Sequence, residues 1–297
     1  MQNQKSKNAI IFVIGTLLSL NFLAWIAVYD LNKPSFLAVD FFDVGQGDSI
    51  FIETPQKYQI LIDGGPSSRV IEKLSKVMPF YDRSLDLVIM THPDPDHLLG
   101  LIDVFKRYKV GLVGFTGVKS SNPEFIEWES QILTKKIPVV VLRKNERLFL
   151  GKNVYIDILA PLENFEGREV KDFNSSSIVA RMVFKNKSFL FTGDAPKTIE
   201  ASLVDSGVNL DSDVLKVGHH GSKTSTTDEF LRAVTPEISV IQVGKNNRYG
   251  HPTPEVLERL NKYGIKILRT DESGDIKIIS NGNALRITNF PELRIRN

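Results

Sequence analysis

The 297-residue chain contains no cysteine, which excludes disulfide bonds, thiol nucleophiles and thiolate metal ligands. It also lacks an excess of either charge, because 37 basic side chains stand against 35 acidic ones. Residues 1–34 hold three basic and one acidic side chain, so residues 35–297 carry 34 of each sign. No overall positive field attracts nucleic acid, and any such binding must come from a local site. The composition, 42% hydrophobic and 24% charged, is otherwise typical of a folded globular protein.

One long apolar run stands apart from the rest of the chain. Ala9 to Tyr29 is a stretch of 21 residues that would extend about 31 Å as a helix, the thickness of a bilayer's hydrocarbon core. A cleaved signal peptide would have a shorter apolar stretch and a small-residue cleavage site, and a buried helix of the fold would have a polar face. Those two alternatives stay open, but the run predicts a single membrane anchor. Its polar members are Thr16, Ser19 and Asn21.

The charges on either side of the apolar run predict its orientation. Lys5 and Lys7 precede the run, whereas only Lys33 follows it closely. The positive-inside rule then places the N-terminus in the cytoplasm. We therefore predict a single-pass protein of the cell membrane. Residues 1–34 would form the cytoplasmic tip and anchor, and residues 35–297 a folded domain on the extracytoplasmic side.

Strand and helix patterns alternate through the rest of the chain. Short runs rich in β-branched and aromatic residues end at turn-forming residues, as strands do. Helical patterns lie between many of them, for example Arg69–Val77 and Leu98–Tyr108. Because no linker or repeat divides this pattern, it predicts one α/β domain. The predicted strands are Leu37–Asp43, Ser49–Thr54, Tyr58–Asp63, Leu85–Met90, Val139–Leu142, Val154–Leu159, Ser177–Phe184, Ser188–Thr192, Val214–Val217, Ile238–Val243 and Ile265–Arg269.

The chain has five histidines, and all of them lie at the ends of predicted strands, beside glycine, proline or aspartate. The densest group is Thr91–His97. In extended backbone, residues two apart face the same way, so His92, Asp94 and Asp96 can converge, and the turn brings in His97. A binuclear metal site would account for this group together with residues from two other strand ends, which are Asp194, His219 and His220.

These motifs, in this order, resemble those of the metallo-β-lactamase fold family. The matching residues are His92, Asp94, Asp96, His97, Asp194 and His219. Further motifs narrow the resemblance to the hydrolase domain of the ComEC family of competence DNA-uptake channel proteins. They are Asp43–Ser49, Leu61–Gly65, His219–Ser222 and Tyr249–Pro252. The resemblance covers about residues 37–280 and implies an α/β fold of the αββα sandwich type, here preceded by one transmembrane helix, with metals at one edge.

The resemblance also implies two divalent metal ions and a ligand at each position of the motif. Asp194 would bridge the two ions. The other ligands would be His92 and Asp94 for the first ion, and Asp96, His97 and His219 for the second. Related histidine–glycine motifs favour His219 over His220, which would then support a ligand or face the substrate.

Other residues are candidates for catalysis or for support of the ligands. The catalytic candidates are Asp96, as a metal ligand, and His251, as the group that protonates the leaving oxygen. A histidine that only orders its own loop is the alternative for His251. Asp63 is expected to orient the loop that bears His92, with a structural turn aspartate as the simpler alternative, and for Asp48 that simpler interpretation is the favoured one. The remaining candidates are Asn174, Ser177, His220, Ser222, Lys223 and Asn246.

Two features depart from the broad family pattern. Asp94 stands where many members have histidine, and no histidine lies between His97 and His219. The first metal site is therefore richer in oxygen ligands, which makes Mn²⁺ a rival to Zn²⁺. The same departures, with the absence of cysteine, count against β-lactam hydrolysis.

The resulting prediction is a membrane-anchored, metal-dependent hydrolase of the phosphodiesterase or nuclease type, with DNA as the candidate substrate in uptake or processing. Two bound metals attract an anionic phosphodiester and can support both the attacking and the leaving oxygen. One apolar span cannot form a DNA pore, so transport would need a separate channel protein as partner. Hydrolysis of cell-surface choline or teichoic-acid phosphodiesters, and a non-catalytic binding module, stay open as alternatives.

Overall fold

A computed structural model describes the backbone of residues 2–32 and 36–289, with the side chains of residues 8, 11–25, 28 and 36–288. Contacts between Cα atoms divide the chain into two units, Met1–Ser35 and Phe36–Asn297. The first unit contains one α-helix, α1 (Gln2–Asn32), and its side chains between residues 11 and 25 are exposed.

The membrane anchor predicted over residues 9–29 coincides with part of α1. No helix in the described part of the chain combines the length and the hydropathy that a membrane crossing needs. The side chains of residues 9–10, 26–27 and 29 lie outside the described ones. The anchor therefore stays a prediction.

The strands of the second unit form two sheets. The first sheet has eight strands in the order β15-β14-β1-β2-β3-β4-β5-β6, and the second has seven in the order β13-β12-β11-β10-β9-β8-β7. The strands are β1 (Leu37–Phe41), β2 (Ile50–Glu53), β3 (Gln59–Ile62), β4 (Ser84–Ile89), β5 (Lys109–Phe115), β6 (Val139–Val141), β7 (Arg147–Phe149), β8 (Val154–Ala160), β9 (Val179–Phe184), β10 (Lys187–Phe191), β11 (Val214–Lys216), β12 (Ile238–Ile241), β13 (Lys266–Arg269), β14 (Ile276–Ser280) and β15 (Leu285–Asn289).

Helices cover the outer face of each sheet. Their apolar residues form one cluster with the first sheet, through Leu74, Leu101 and Trp128, and another with the second sheet, through Leu203 and Leu260. The helices are α2 (Arg69–Val77), α3 (Pro95–Arg107), α4 (Pro123–Lys135), α5 (Lys197–Asp205), α6 (Asp228–Val234), α7 (Pro254–Lys262) and α8 (Thr270–Ser273). This arrangement is the αββα sandwich that the resemblance implies.

Side chains that point alternately to the two faces of the strands form the core between the two sheets. In β2, Ile50 and Ile52 face the second sheet, while Phe51 faces the helices. Strand side chains point to opposite faces in turn, so each inner strand needs apolar residues on both sides. The inner cluster buries residues from both sheets, among them Met182 and Phe189.

Parallel pairing brings several strand ends to one edge of the sandwich. In the first sheet, β3 and β4 are parallel and Ile62 pairs with Ile89, so both strands stop at the same level. In the second sheet, β10, β11 and β12 are also parallel neighbours. The loops that follow these strands therefore meet at this edge, where the motif residues lie.

The structure differs from the sequence-based element prediction in two respects. Four strands were missed: β5, which two glycines interrupt, the short β7, and the C-terminal hairpin β14–β15. The helix predicted from Leu98 begins three residues earlier, at Pro95, because proline suits the first position of a helix. Asp96 and His97 thus lie in a helical turn, and the extended backbone assumed for Asp96 was wrong.

Candidate metal centre

The loop after β4 carries the first group of polar side chains. Asp94 has extended backbone and its carbonyl accepts hydrogen bonds from the backbone N–H groups of His97 and Leu98 as α3 begins. Helix α3 then packs so closely on the loop after β3 that a side chain at Gly100 would collide with Gly64. Glycine at both positions lets the start of the helix reach the sheet edge, and this fixes the position of His97.

Asp63 holds this loop in place from the end of the neighbouring strand. Its carboxylate accepts hydrogen bonds from the backbone N–H of Thr91 at 2.8 Å and from the Thr91 hydroxyl at 2.7 Å. Asp63 Oδ2 also lies 2.8 Å from His97 Nδ1. A carboxylate on one ring nitrogen fixes the orientation of an imidazole and leaves the other nitrogen for a ligand. His97 therefore presents Nε2 to the centre of the cluster.

Asp194, in the loop after β10, occupies the middle of the cluster. Its Oδ2 lies 3.4 Å from His97 Nε2 and 3.3 Å from His220 Nε2. The Ser177 hydroxyl accepts a hydrogen bond from the Asp194 backbone N–H at 3.3 Å, which ties this loop to the start of β9. On the other side of the cluster, His92 Nε2 lies 3.3 Å from Asp94 Oδ2.

The two adjacent histidines after β11 have different surroundings. Both have left-handed backbone, with φ of 49° at His219 and 54° at His220, a conformation that is unfavourable for residues other than glycine. His220 is buried; its Nδ1 lies 2.9 Å from the Gln242 carbonyl and its Nε2 lies 3.3 Å from Asp96 Oδ2. His219 is 27% exposed, and its Nε2 lies 3.7 Å from Asp194. The geometry thus favours His220 as a ligand, whereas the resemblance favoured His219.

A buried ion pair lies directly beneath the cluster. The ammonium of Lys216, at the end of β11, contacts the carboxylate of Asp48, lies 3.8 Å from Asp194 Oδ1 and donates to the Gly193 carbonyl at 3.1 Å. Burial alone would lower the pKa of Lys216, but the carboxylates of Asp48 and Asp194 outweigh it and raise that pKa. Sequence reasoning missed this pair and treated Asp48 as a turn residue. The available signal was a lysine inside the otherwise apolar end of a strand.

Comparison with known proteins identifies the family of this sandwich. The model of the metallo-beta-lactamase superfamily matches residues 42–245. The chain belongs to the metallo-β-lactamase superfamily. A diiron β-hydroxylase from Streptomyces venezuelae, CmlA, shares this fold with a TM-score of 0.52 and 16% identity, over 80% of this chain and 53% of that one.

Curated relatives confirm the narrower resemblance to competence proteins. The chain is 33% identical to ComE operon protein 3 of Bacillus subtilis and 35% identical to competence protein ComA of Neisseria gonorrhoeae, over 80% and 81% of its length. It is also 30% identical to recombination protein 2 of Haemophilus influenzae, over 84% of its length. The chain spans about a third of the length of these relatives, 32%, 32% and 29% respectively.

The superfamily implies bound divalent metals, and the side chains of this chain fit them. The Nε2 atoms of His92, His97 and His220, and Oδ1 of Asp194, are buried and make no hydrogen bond. Buried polar atoms almost always have a partner, so four unpaired ligand atoms in one cluster call for a metal. Ligand atoms within 4.8 Å of one another include the sets His92–His97–Asp194 and Asp96–His97–His220. Imidazole and carboxylate together suit zinc, manganese and iron.

Without metal, the imidazoles and carboxylates of the cluster hold each other charged. Burial would raise the pKa of Asp96, but the nearby imidazoles of His220 and His97 lower it below its ordinary range. Burial would lower the pKa of His97, but Asp194 and Asp63 raise it well above 6.5. A divalent ion entering the cluster would therefore displace protons from the rings.

The other predicted residues lie around this cluster rather than in it. The His251 ring is half-buried, 5.9 Å from the ring centre of His219, and burial lowers the pKa of His251. Asn174 lies in a 3₁₀ turn with its buried Oδ1 unpaired, and the Ser222 hydroxyl bonds to that of Thr224 at 2.9 Å. The structure leaves two predicted side chains exposed and outside the described metal-ligand sets, Lys223 and Asn246.

Proposed function

We propose that this chain is a metal-dependent hydrolase of phosphodiester bonds, of the phosphodiesterase or nuclease type. The observation that carries the proposal is the set of unpaired, buried Nε2 atoms of His92, His97 and His220 around the Asp194 carboxylate. These nitrogens face carboxylate oxygens at 3.3–3.4 Å without forming hydrogen bonds, and a cation bound between them would satisfy both kinds of ligand atom.

We assign ligands for two divalent ions from these residues. The first would be held by His92, Asp94 and Asp194, and the second by Asp96, His97, Asp194 and His220. When bound, such a pair acidifies a water molecule and polarises the phosphoryl oxygens. This ligand set suits both Zn²⁺ and Mn²⁺, so the bound metal is to be identified by measuring metal content and by reloading with each ion.

The chain's own residues hold the ligands and supply a proton. Asp63 fixes the ring of His97, and the Gln242 carbonyl fixes that of His220. His251 lies beside the partly exposed His219, whose Nε2 is 3.7 Å from Asp194. We assign to His251 the protonation of the leaving oxygen, because its ring lies next to that of His219 beside the centre and imidazole is the side chain best suited to proton transfer near neutral pH.

The relatives support a phosphodiester substrate and a place in DNA uptake or processing, since those named as competence proteins match most of this chain. With the apolar run at residues 9–29, we propose single-pass anchoring in the cell membrane, the hydrolase domain on the extracytoplasmic side, and a separate channel protein as partner.

The direct test uses the purified full chain in detergent. Metals are removed with a chelator, Mn²⁺ or Zn²⁺ is added back, and hydrolysis of bis(p-nitrophenyl) phosphate and of a single-stranded oligonucleotide is followed. We expect about two ions per chain and hydrolysis only after reloading. The matched variants are Asp194→Ala, which should bind little metal and show no hydrolysis, and Asp205→Ala, an exposed aspartate, which should match the wild type. A wild-type chain that binds two ions but hydrolyses neither substrate would contradict the proposal.

A further inference from the structure

The helical side of the first sheet carries two neighbouring cavities that share Arg107. The first, of about 660 Å³, lies along α2 and the end of α3, and the cations that line it are Arg69, Arg83 and Arg107. Glu72 is the acidic residue lining it, and its carboxylate is bound by Lys76 at 2.6 Å. The cavity therefore presents a net positive charge.

The second cavity, of about 640 Å³, lies where α3 and α4 end. No acidic residue is among the described residues that line it. Its cations are Lys106, Arg107, Lys109, Lys135 and Lys136, all of them exposed, and Lys106 forms a surface ion pair with Glu127 of α4 at 3.4 Å. Because residues 35–297 carry equal numbers of acidic and basic side chains, this concentration of one sign is a local feature and not a consequence of composition.

Two exposed aromatic rings adjoin the basic surface. Phe80 and Tyr81 lie between α2 and β4, 85% and 76% exposed, with their ring centres 5.3 Å apart in edge-to-face contact. Arg83 of the first cavity follows two residues later. Because aromatic side chains this exposed bury little apolar area, they contribute little to the free energy of folding. They do offer flat surfaces on which the bases of a nucleic acid can stack.

The helices connect this surface to the metal centre. Helix α3 is thirteen residues long, about 20 Å; its first turn holds Asp96 and His97 at the centre, and it ends at Arg107. Helix α2 begins at Arg69, whose guanidinium lies against Gly45 near the same edge, and runs towards Phe80. The two cavities therefore follow the helices from the metal edge to the opposite edge of the sandwich.

We propose that this surface, the basic track formed by the two cavities together with Phe80 and Tyr81, binds a single-stranded segment of the nucleic acid whose phosphodiester enters the metal centre. The inference rests on the proposed function and specifies its substrate as a polymer rather than a small ester. Cationic side chains bind successive phosphates, and the aromatic rings stack on bases, the combination used by non-specific single-strand binders.

The test measures binding apart from cleavage. The full chain in detergent is stripped of metal, so that it cannot cut, and titrated with a fluorescent thirty-nucleotide oligothymidine at several salt concentrations. The track variant Lys106→Gln/Arg107→Gln/Lys136→Gln should bind at least about ten-fold more weakly, and the slope of log affinity against log salt should fall by about 2, near 0.7 for each lost phosphate contact. The control Lys152→Gln/Lys185→Gln/Lys266→Gln removes three exposed charges elsewhere and should bind like the wild type.

The aromatic rings have a test of their own. Phe80→Ser/Tyr81→Ser should weaken binding about five-fold or more without changing the salt slope, because stacking involves no counterion. A glycerol-phosphate polymer, which has phosphates but no bases, should compete poorly. Equal competition by that polymer, or unchanged oligothymidine binding by the track variant, would overturn the inference.

Failure of the inference and failure of the proposed function give different results. Metal-loaded track variant should hydrolyse bis(p-nitrophenyl) phosphate as fast as the wild type, because the substituted residues are remote from the centre. Hydrolysis of this small diester with no effect of the variant on strand binding overturns the track alone. Absence of hydrolysis in the wild type overturns the proposed function, whatever the binding result.

Discussion

The two ends of helix α3 place charge in opposite settings. At its start, Asp96 and His97 belong to a buried cluster in which each ionised group faces a partner of opposite sign. At its end, Lys106 and Arg107 are exposed and line cavities in which cations predominate. Both ends agree with the helix dipole, which favours an anion at the first turn and cations at the last.

The comparison shows that one helix can serve two kinds of electrostatics. Charges in the buried cluster are fixed by partners and backbone, so removing one leaves another uncompensated at a cost of several kcal/mol. Charges on the basic track are exposed to solvent, so removing one changes stability little and salt weakens whatever they bind. A buried charge that could be removed without loss of stability, or an exposed one whose removal destabilised the fold, would contradict this distinction.

The largest effect is expected from the adjacent histidines after β11. His220→Ala removes a buried ligand atom, so the second metal should be lost and hydrolysis should fall below detection; a lost supporting contact alone costs about 10–100-fold in metal affinity. His219→Ala should keep both ions, because its ring is partly exposed and lies further from Asp194. Metal content per chain, measured by mass spectrometry, decides between them. If His219→Ala loses the metal and His220→Ala keeps it, the ligand assignment is reversed.

His251→Ala tests catalysis without metal loss. Hydrolysis of diesters with poor leaving groups should slow about 10²–10⁴-fold, the usual effect of positioned proton transfer, while metal content stays at the wild-type value. The loss should be smaller for nitrophenolate, a leaving group that needs little protonation. Equal losses on good and poor leaving groups would remove His251 from the acid role, and metal loss would make it a ligand.

Lys216 and Lys106 provide a matched pair of buried and exposed lysines. Lys216→Gln should lower the free energy of unfolding by about 3–5 kcal/mol, because it leaves the buried carboxylates of Asp48 and Asp194 without their cation. Lys106→Gln should change it by about 0.5 kcal/mol or less. Urea unfolding of the metal-free full chain gives both values. Equal effects of the two substitutions would show that the ion pair beneath the centre contributes nothing specific.

The strand and helix patterns predicted an α/β domain, and the resemblance of the motifs to a known family added the sandwich; the motif residues follow strand ends, which parallel pairing collects at one edge. It could not choose between His219 and His220, because that choice depends on left-handed backbone at both positions. Nor could it find the Asp48–Lys216 pair, whose members are 168 positions apart and meet only through the packing of the two sheets. Patterns within one segment can be recognised in the sequence, whereas contacts between residues of distant loops can be seen only in the folded structure.

Two buried carboxylates differ in what sets their pKa values. Charged partners dominate for Asp194, whereas burial dominates for Asp40. Asp194 faces His97 and His220, and its pKa is lowered well below the ordinary value although burial opposes this. Asp40, in β1, pairs across the sheet with Lys277, whose ammonium lies 3.0 Å away, yet burial raises the pKa of Asp40 from 3.8 to about 6. One partly exposed partner does not offset desolvation at Asp40.

The raised pKa of Asp40 predicts a pH dependence of stability. The folded state binds this proton more tightly than the unfolded state, so the contribution is fully present below pH 3.8 and is lost as pH rises to about 6. The loss across that window is about 3 kcal/mol. Asp40→Asn should remove this term, so the free energy of unfolding of the variant relative to the wild type should increase between pH 4 and pH 6. Urea titrations at several pH values measure the difference, and a difference independent of pH would show that Lys277 compensates the buried charge fully.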